Sequence, residues 1–205
     1  LMYRFSLRYA LSLVCALALL HCGSDPVQNG TPSQPLPFPG STDGTADGNA
    51  ELALNTNAEL NGRYVKGVRI DGDSFSASTP GQDVEITFAA TGLSNVKQFE
   101  VRLRIEPEAA FDLAASSFAP LQPFISPPTS VERTEDGLWR TGGASVTRVV
   151  EGDATFGTLK LKTASGFDGD TQVQVRVDYF SIGPSFSDRD DYNANDLQMG
   201  VVVNE

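Results

Sequence analysis

The sequence predicts an all-β fold, a single antiparallel β-sandwich of the jelly-roll kind, over residues 52–205. Three observations carry this. Apolar and polar residues alternate with a period of two through four separate stretches, the pattern of strands with one buried face. Short turn signals built on Gly, Asp and Pro stand between those stretches. Helical spacing is hinted at only in PEAAFDLAASS (107–117), where Pro107 takes a first-turn position. A span of about 150 residues is one domain's worth of chain, and many short strands at that length form a sandwich.

Taken in order, YVKGVRI (64–70) reads as the first strand. QDVEITFAAT (82–91) sets Val84, Ile86, Phe88 and Ala90 on one face, with Glu85 and Thr87 opposite. QFEVRLRI (98–105) turns Phe99, Val101, Leu103 and Ile105 inward and Glu100, Arg102 and Arg104 outward. Residues 111–130 read as a Pro-rich excursion, followed by a hairpin in SVERTEDGLWRTGG (130–143). TLKLKT (158–163) alternates Leu159 and Leu161 with Lys160 and Lys162. TQVQVRVDYF (171–180) alternates Val173, Val175, Val177 and Tyr179 with Gln172, Gln174, Arg176 and Asp178. LQMGVVV (197–203) supplies a last strand. The turns are expected at DGDS (71–74), TPGQ (79–82), EDGLW (135–139) and DGDT (168–171).

The first 51 residues read differently. Arg4 and Arg8 precede an apolar run, Ala10 to Leu20, broken only by Ser12. A basic start and a short apolar core make a secretory signal over 1–21, and the run is shorter than the roughly 20 residues a membrane helix needs. Leu1 is unusual as a first residue and points to an alternative start codon or a start at Met2. Residues 22–51 are rich in Gly, Pro, Ser, Thr, Asn and Asp, without a hydrophobic period. Such composition cannot offset the entropy of ordering, so the segment is expected to be a flexible tether. Between signal and tether, Leu19-Leu20-His21-Cys22 resembles the lipobox of bacterial lipoproteins, departing from it at His21. The resemblance implies an acylated Cys22 and an exported protein held in the cell envelope, at the outer membrane or the cell surface. The alternative is ordinary cleavage that leaves a free thiol.

Removal of the signal takes away the single His, His21, and one of the two Cys residues. That excludes His-assisted triads, His-ligated zinc and an internal disulfide. It leaves 13 basic residues against 26 acidic ones, a balance that disfavours nucleic acid and anionic surfaces. The lipid at Cys22 is then the expected membrane contact.

Several motifs, in order, resemble the cohesin domain family: GQDVEITF (81–88), GLSNVKQFEVRL (92–103), Gly142-Gly143 and GDATFGTLKLKTASG (152–166). The likeness covers most of 64–203. It departs at Ile105-Glu106-Pro107, where many cohesins carry Tyr-Asp-Pro after the long strand. The resemblance implies a non-catalytic module that docks a dockerin-bearing secreted protein on one sheet face, in a setting of polysaccharide degradation. Several carbohydrate-binding modules share this sandwich, so direct binding of a polysaccharide is the alternative.

Three groups of residues are candidates for a site. Arg102, Arg104, Lys160, Lys162, Gln174 and Arg176 face outward on their strands and offer a partner-binding surface. Trp139, after an Asp-Gly turn, offers a platform for a sugar ring. Asp188, Asp190, Asp191, Asn193, Asn195 and Asp196 crowd enough oxygen atoms to hold calcium, although the spacing fails the calcium-loop template and a solvated turn is the plainer expectation. No other cofactor is expected. Pairs such as Glu106/Glu108 and Asp168/Asp170 have the composition of glycosidase acids, but nothing picks out a raised acid, so no enzyme activity is expected.

Overall fold

The computed structural model describes residues 54–72, 75–126, 131–135 and 137–205. The predicted signal, tether and Cys22 lie outside the described residues. Strands β1 (Asn57–Glu59), β2 (Gly67–Asp71), β3 (Asp83–Val96), β8 (Val150–Thr163) and β5 (Phe111–Pro120) pair in that spatial order as one sheet. The second sheet runs β10 (Asp188–Asn193), β9 (Val173–Ser185), β4 (Gln98–Glu106), β7 (Leu138–Ala144) and β6 (Val131–Glu135), with β11 (Gly200–Val203) also on β9. All these pairings are antiparallel. The two sheets face each other as a β-sandwich.

The predicted alternation is what builds the core. Val84, Ile86, Phe88 and Ala90 from β3 meet Phe99, Val101, Leu103 and Ile105 from β4, with Leu159, Leu161, Val173, Val175 and Val177 closing the layer. Near one end of the sandwich an aromatic cluster joins the sheets. Phe99 stacks on Phe156 at 4.4 Å between ring centres, and Phe124 meets Phe99 edge-on at 5.0 Å. Phe118 and Phe180 flank the pair at 6.1 Å from Phe99 and Phe156 respectively.

Four expectations from the sequence are corrected. The helical hint at 107–117 comes to no more than a 3-10 turn, Glu108–Ala110. Residues 111–120 are not an excursion but edge strand β5, bonded to β8 at both ends and bulged between Asp112 and Ser117. The reason is tertiary: β8 would otherwise expose an open edge, and Phe111 and Phe118 gain burial by pairing there. Tyr179 does not follow Val177 inward. Leu103 opposes Val177 and Arg102 opposes Tyr179, so Asp178 is an extra residue, a β-bulge that reverses the phase. Beyond it Phe180 and Ile182 are buried, while Asp178 and Tyr179 both face outward. Finally, 187–197 is not a simple turn. It forms edge strand β10 and a one-turn helix, Ala194–Leu197, closed by a capping box between Asn193 and Asp196.

A clasp joins the two sheets at one margin. Asp190 on β10 accepts the backbone N–H groups of Arg63 and Tyr64, at 2.6 and 3.0 Å, and the Arg63 Nε–H at 3.1 Å. Arg63 also reaches Asp188 at 3.2 Å and lies over the Tyr64 ring. Gly62 fits because any Cβ there would run into the Tyr192 hydroxyl and the Asp190 carboxylate. Burial alone raises the Asp190 carboxyl, but its backbone and Arg63 donors outweigh that and hold it below the usual carboxylate range. Burial, with Asp190 beside it, pushes the Tyr192 phenol up to about 12.

This packing makes two testable predictions. Val175→Ala or Leu103→Ala should cost about 2–5 kcal/mol in denaturant unfolding, and Phe180→Ala about 3–5 kcal/mol. Gln174→Ala and Tyr179→Ala, on the outer face, should each cost far less; equal losses would mean the phases are misassigned. The Asp190 carboxylate is depressed in the folded state, so its stabilisation is complete above about pH 4 and fades as pH falls through the lower folded value. The stability gap between wild type and Asp190→Asn, measured by urea unfolding, should therefore be largest at neutral pH and shrink in acid.

Candidate functional site

The outer face of the six-stranded sheet carries most of the candidate binding residues. Outward positions on β4 bring Glu100, Arg102 and Arg104 beside Arg140 and Gly142 of β7 and Arg176, Asp178 and Tyr179 of β9. The guanidinium groups are held in place. Arg102 pairs with Glu100 at 2.7 Å and lies over the Tyr179 ring, 4.5 Å from its centre. Arg104 pairs with Asp178 at 3.1 Å and Glu135 at 3.7 Å. Arg176 pairs with Glu106 at 3.1 Å, and Arg140 with Glu132. The Tyr179 hydroxyl donates to Asp191. Hydrogen bonds to these carboxylates raise the Arg104 and Arg140 guanidinium groups still further above neutrality.

The predicted basic group is thereby divided. Arg102, Arg104, Gln174 and Arg176 share this face, whereas Lys160 and Lys162 stand on β8 in the other sheet, paired with Glu85 and Asp83. The six do not form one patch. Arg140, Glu132, Asp178 and Tyr179 join the first four, and sequence reasoning missed them as site residues. Arg140 was within its reach, since it alternates with buried Trp139 and Thr141 in the predicted hairpin.

At the margin of this face a shallow groove of about 330 Å³ runs over Gln98, Glu100, Gly142 and Ala144 to the side chains of Ile125 and Phe186. Its floor stays low because a Cβ at Gly142 would sit 2.5 Å from the Phe99 carbonyl. Phe186, in the turn between β9 and β10, is 74% exposed. Its sequence signal was an aromatic residue set among serines in a turn.

Two predicted sites are corrected. Trp139 is not a sugar platform: it is 1% exposed, because it pairs with inward-facing Leu103 and turns into the core with it. Its indole N–H donates to Glu108 at 2.8 Å, and the same carboxylate accepts from the Gly137 N–H and Arg133. Burial alone raises Glu108, but these donors hold it below the usual carboxylate range. The acidic stretch 188–196 is not a calcium loop. Asp188 and Asp190 turn to Arg63, Asp191 to Tyr179 and Arg189, and Asn193 and Asp196 to each other's backbone at the helix cap. Asn195 gives its backbone N–H to Asn193. A strand sends neighbouring side chains to opposite faces, so density in sequence does not become convergence in space. Among the described residues no group of three or more His, Cys, Asp or Glu side chains is placed to hold a metal ion.

The fold and this face define a two-sheet antiparallel sandwich with an open, Arg-rich outer surface. Solved structures similar to it include cohesin modules. One, from a family 33 glycoside hydrolase of Clostridium perfringens, is 15% identical over 68% of this chain and 96% of that one, with a TM-score of 0.45. A type II cohesin module of an adaptor scaffoldin from Acetivibrio cellulolyticus is 10% identical over 70% and 98%, with a TM-score of 0.46. The sixth cohesin of scaffoldin B from the same organism, solved in complex with a dockerin, is 13% identical over 67% and 97%, with a TM-score of 0.39. No family model matches the chain, and no curated protein matches it. At these identities and TM-scores, both the sandwich and the chemistry of its face rest on this chain's own residues.

The Trp139 anchor is open to test. Glu108→Ala leaves a buried indole N–H without its acceptor and should cost about 1–3 kcal/mol in urea unfolding. Glu108→Gln, which keeps an acceptor, should recover much of that. Tryptophan emission should stay blue in wild type and be indifferent to soluble sugars; a sugar-dependent shift would restore the platform reading.

Proposed function

We propose that this chain is a non-catalytic binding module that docks a protein partner on the outer face of its six-stranded sheet. The observation that carries this is the composition of that face: Arg102, Arg104, Arg140 and Arg176 with Tyr179, each already oriented by a neighbour. Arg and Tyr are the residues on which protein interfaces concentrate their binding energy, and side chains ordered before contact lose less entropy on binding. The outer face of the other sheet carries Asp83, Glu85, Thr87, Thr158, Lys160 and Lys162, and interfaces are depleted in Lys, Glu and Asp.

The partner class rests on the ordered motifs of residues 81–166, which resemble cohesins: a dockerin-bearing secreted protein, in a setting of polysaccharide degradation. The sequence of the first 51 residues supports an exported module, acylated at Cys22 and set off from its membrane by the 22–51 tether. The alternative of direct polysaccharide binding loses its platform, since Trp139 is buried and the Tyr179 ring lies under Arg102.

The test is capture of secreted proteins from the source organism, identification of dockerin-like repeats among them, and direct affinity measurement on the captured module. Arg102→Glu and Arg140→Glu should each weaken binding about tenfold or more and make it less sensitive to salt. Lys160→Glu, on the other sheet, should change affinity little. Binding lost with Lys160→Glu and kept with Arg102→Glu would move the site to the other face. Binding on a glycan array without any protein partner would replace the docking reading altogether. Cys22→Ser should release the protein from the membrane fraction, and a mature chain without acyl mass would remove the anchor.

A further inference from the structure

We infer that the loop-bearing end of the sandwich is a lipid-contacting tip, which lays apolar side chains into a bilayer surface and sets two cations against headgroup phosphates. The exposed large hydrophobics of the described residues gather around this one end. Val146 and Phe186 are 77% and 74% exposed; Ile125 shares a groove with Phe186, and Leu121 a concavity with Val149. They come from three connections: the segment that crosses from β5 toward β6, the β7–β8 loop and the β9–β10 turn. Backbone bonds from Ser145 to Lys97, from Lys97 to Gly183 and between Ile125 and Ala144 gather those connections at the same end.

Charge distinguishes this end as well. Ten basic side chains elsewhere in the sandwich pair with a carboxylate, and Lys66 donates to the Gly62 carbonyl. Lys97 and Arg148, both at the tip, have no acid partner among the described residues. The chain's net charge of −11 disfavours anionic surfaces at large, and Glu151 and Asp153 line the same concavity as Arg148, but neither acid pairs with these two cations, which stay open to a headgroup phosphate. The tip is aliphatic apart from Phe186 and has no Tyr, Trp or Met, unlike the Arg and Tyr of the sheet face. Aliphatic side chains on separate loop apices suit a fluid medium, which needs no matching shape.

The rest of the chain permits this contact. The sandwich begins and ends away from the tip, where Asn55 bridges Met199 and Val203 pairs with Val173.

The test is site-specific, so the N-terminal region does not confuse it. Phe186→Trp places an indole at the tip, with buried Trp139 as an unquenched reference. Vesicles of phosphatidylcholine and phosphatidylglycerol with brominated acyl chains should quench it. Asp170→Trp, on a loop at the opposite end, should stay bright. In the Phe186→Trp background, Val146→Ser with Val149→Ser should weaken vesicle binding roughly tenfold or more. Arg148→Glu should weaken it about fivefold. Arg102→Glu should leave quenching unchanged, so this inference and the protein-docking face fail separately. No quenching at position 186, or equal quenching at both ends, overturns the inference. Protection of the Phe186→Trp indole by a captured protein and not by vesicles overturns it too, and gives the tip to a protein.

Discussion

The stack of Phe99 on Phe156 is the contact around which the rest of this molecule is arranged. It is the point where β4 of one sheet and β8 of the other meet ring to ring, at 4.4 Å, with Phe118, Phe124 and Phe180 packed about it. Burying several aromatic side chains at one place supplies a large share of the apolar area that holds two sheets together. Both candidate surfaces hang on it. Phe99 is the first inward residue of β4, whose outward positions after it are Glu100, Arg102 and Arg104. Phe124 pins the segment that carries Leu121 and Ile125 to the tip, and a Cβ at Gly143 would press on the Phe99 ring edge at 3.0 Å and on the Ile125 carbonyl and Phe124 Cβ at 3.2 and 3.3 Å. A loosened cluster would blur the face and the tip together.

A single extra residue then decides which chemistry the face presents. Without the bulge at Asp178, Tyr179 would turn into the core and Arg102 would have no ring to lie on. With it, Asp178 and Tyr179 both point outward and each takes an arginine. The bulge thus exchanges a regular ladder for a paired, ordered surface. The ion pairs contribute little to stability at such exposed positions. Their consequence is orientation, which matters when a partner must find charged groups already in place.

The edges of the sheets show the same division between stability and function. β5 covers the margin of β8, and β10 covers that of β9, so neither long strand offers a bare edge to another chain. β10 is secured by Asp190, which gathers the Arg63 and Tyr64 N–H groups from the loop between β1 and β2. The acidic stretch therefore serves as a clasp between sheets. Its carboxylates are occupied by protein donors, which leaves the open chemistry of the molecule to the arginine face and the loop end.

Local sequence by itself determined the class of fold and most of the core, because burial of one strand face writes a period of two into neighbouring residues. Val84 to Ala90, Phe99 to Ile105 and Val173 to Val177 needed no partner to be read. It also marked Arg102, Arg104, Gln174 and Arg176 as outward. Only the tertiary structure decided the rest. That Lys160 and Lys162 stand on the other sheet depends on strand order, which no local pattern records. That Trp139 is buried depends on its register with Leu103, and that 111–120 is a strand depends on the open edge of β8. The reversal at Tyr179 depends on a bulge, which inserts one residue without altering composition. Arg63 finds Asp190, and Ile125 and Phe186 come to line one groove, only once distant segments are brought together. Pattern within a strand is set by neighbours in the chain, whereas a surface is set by neighbours in space.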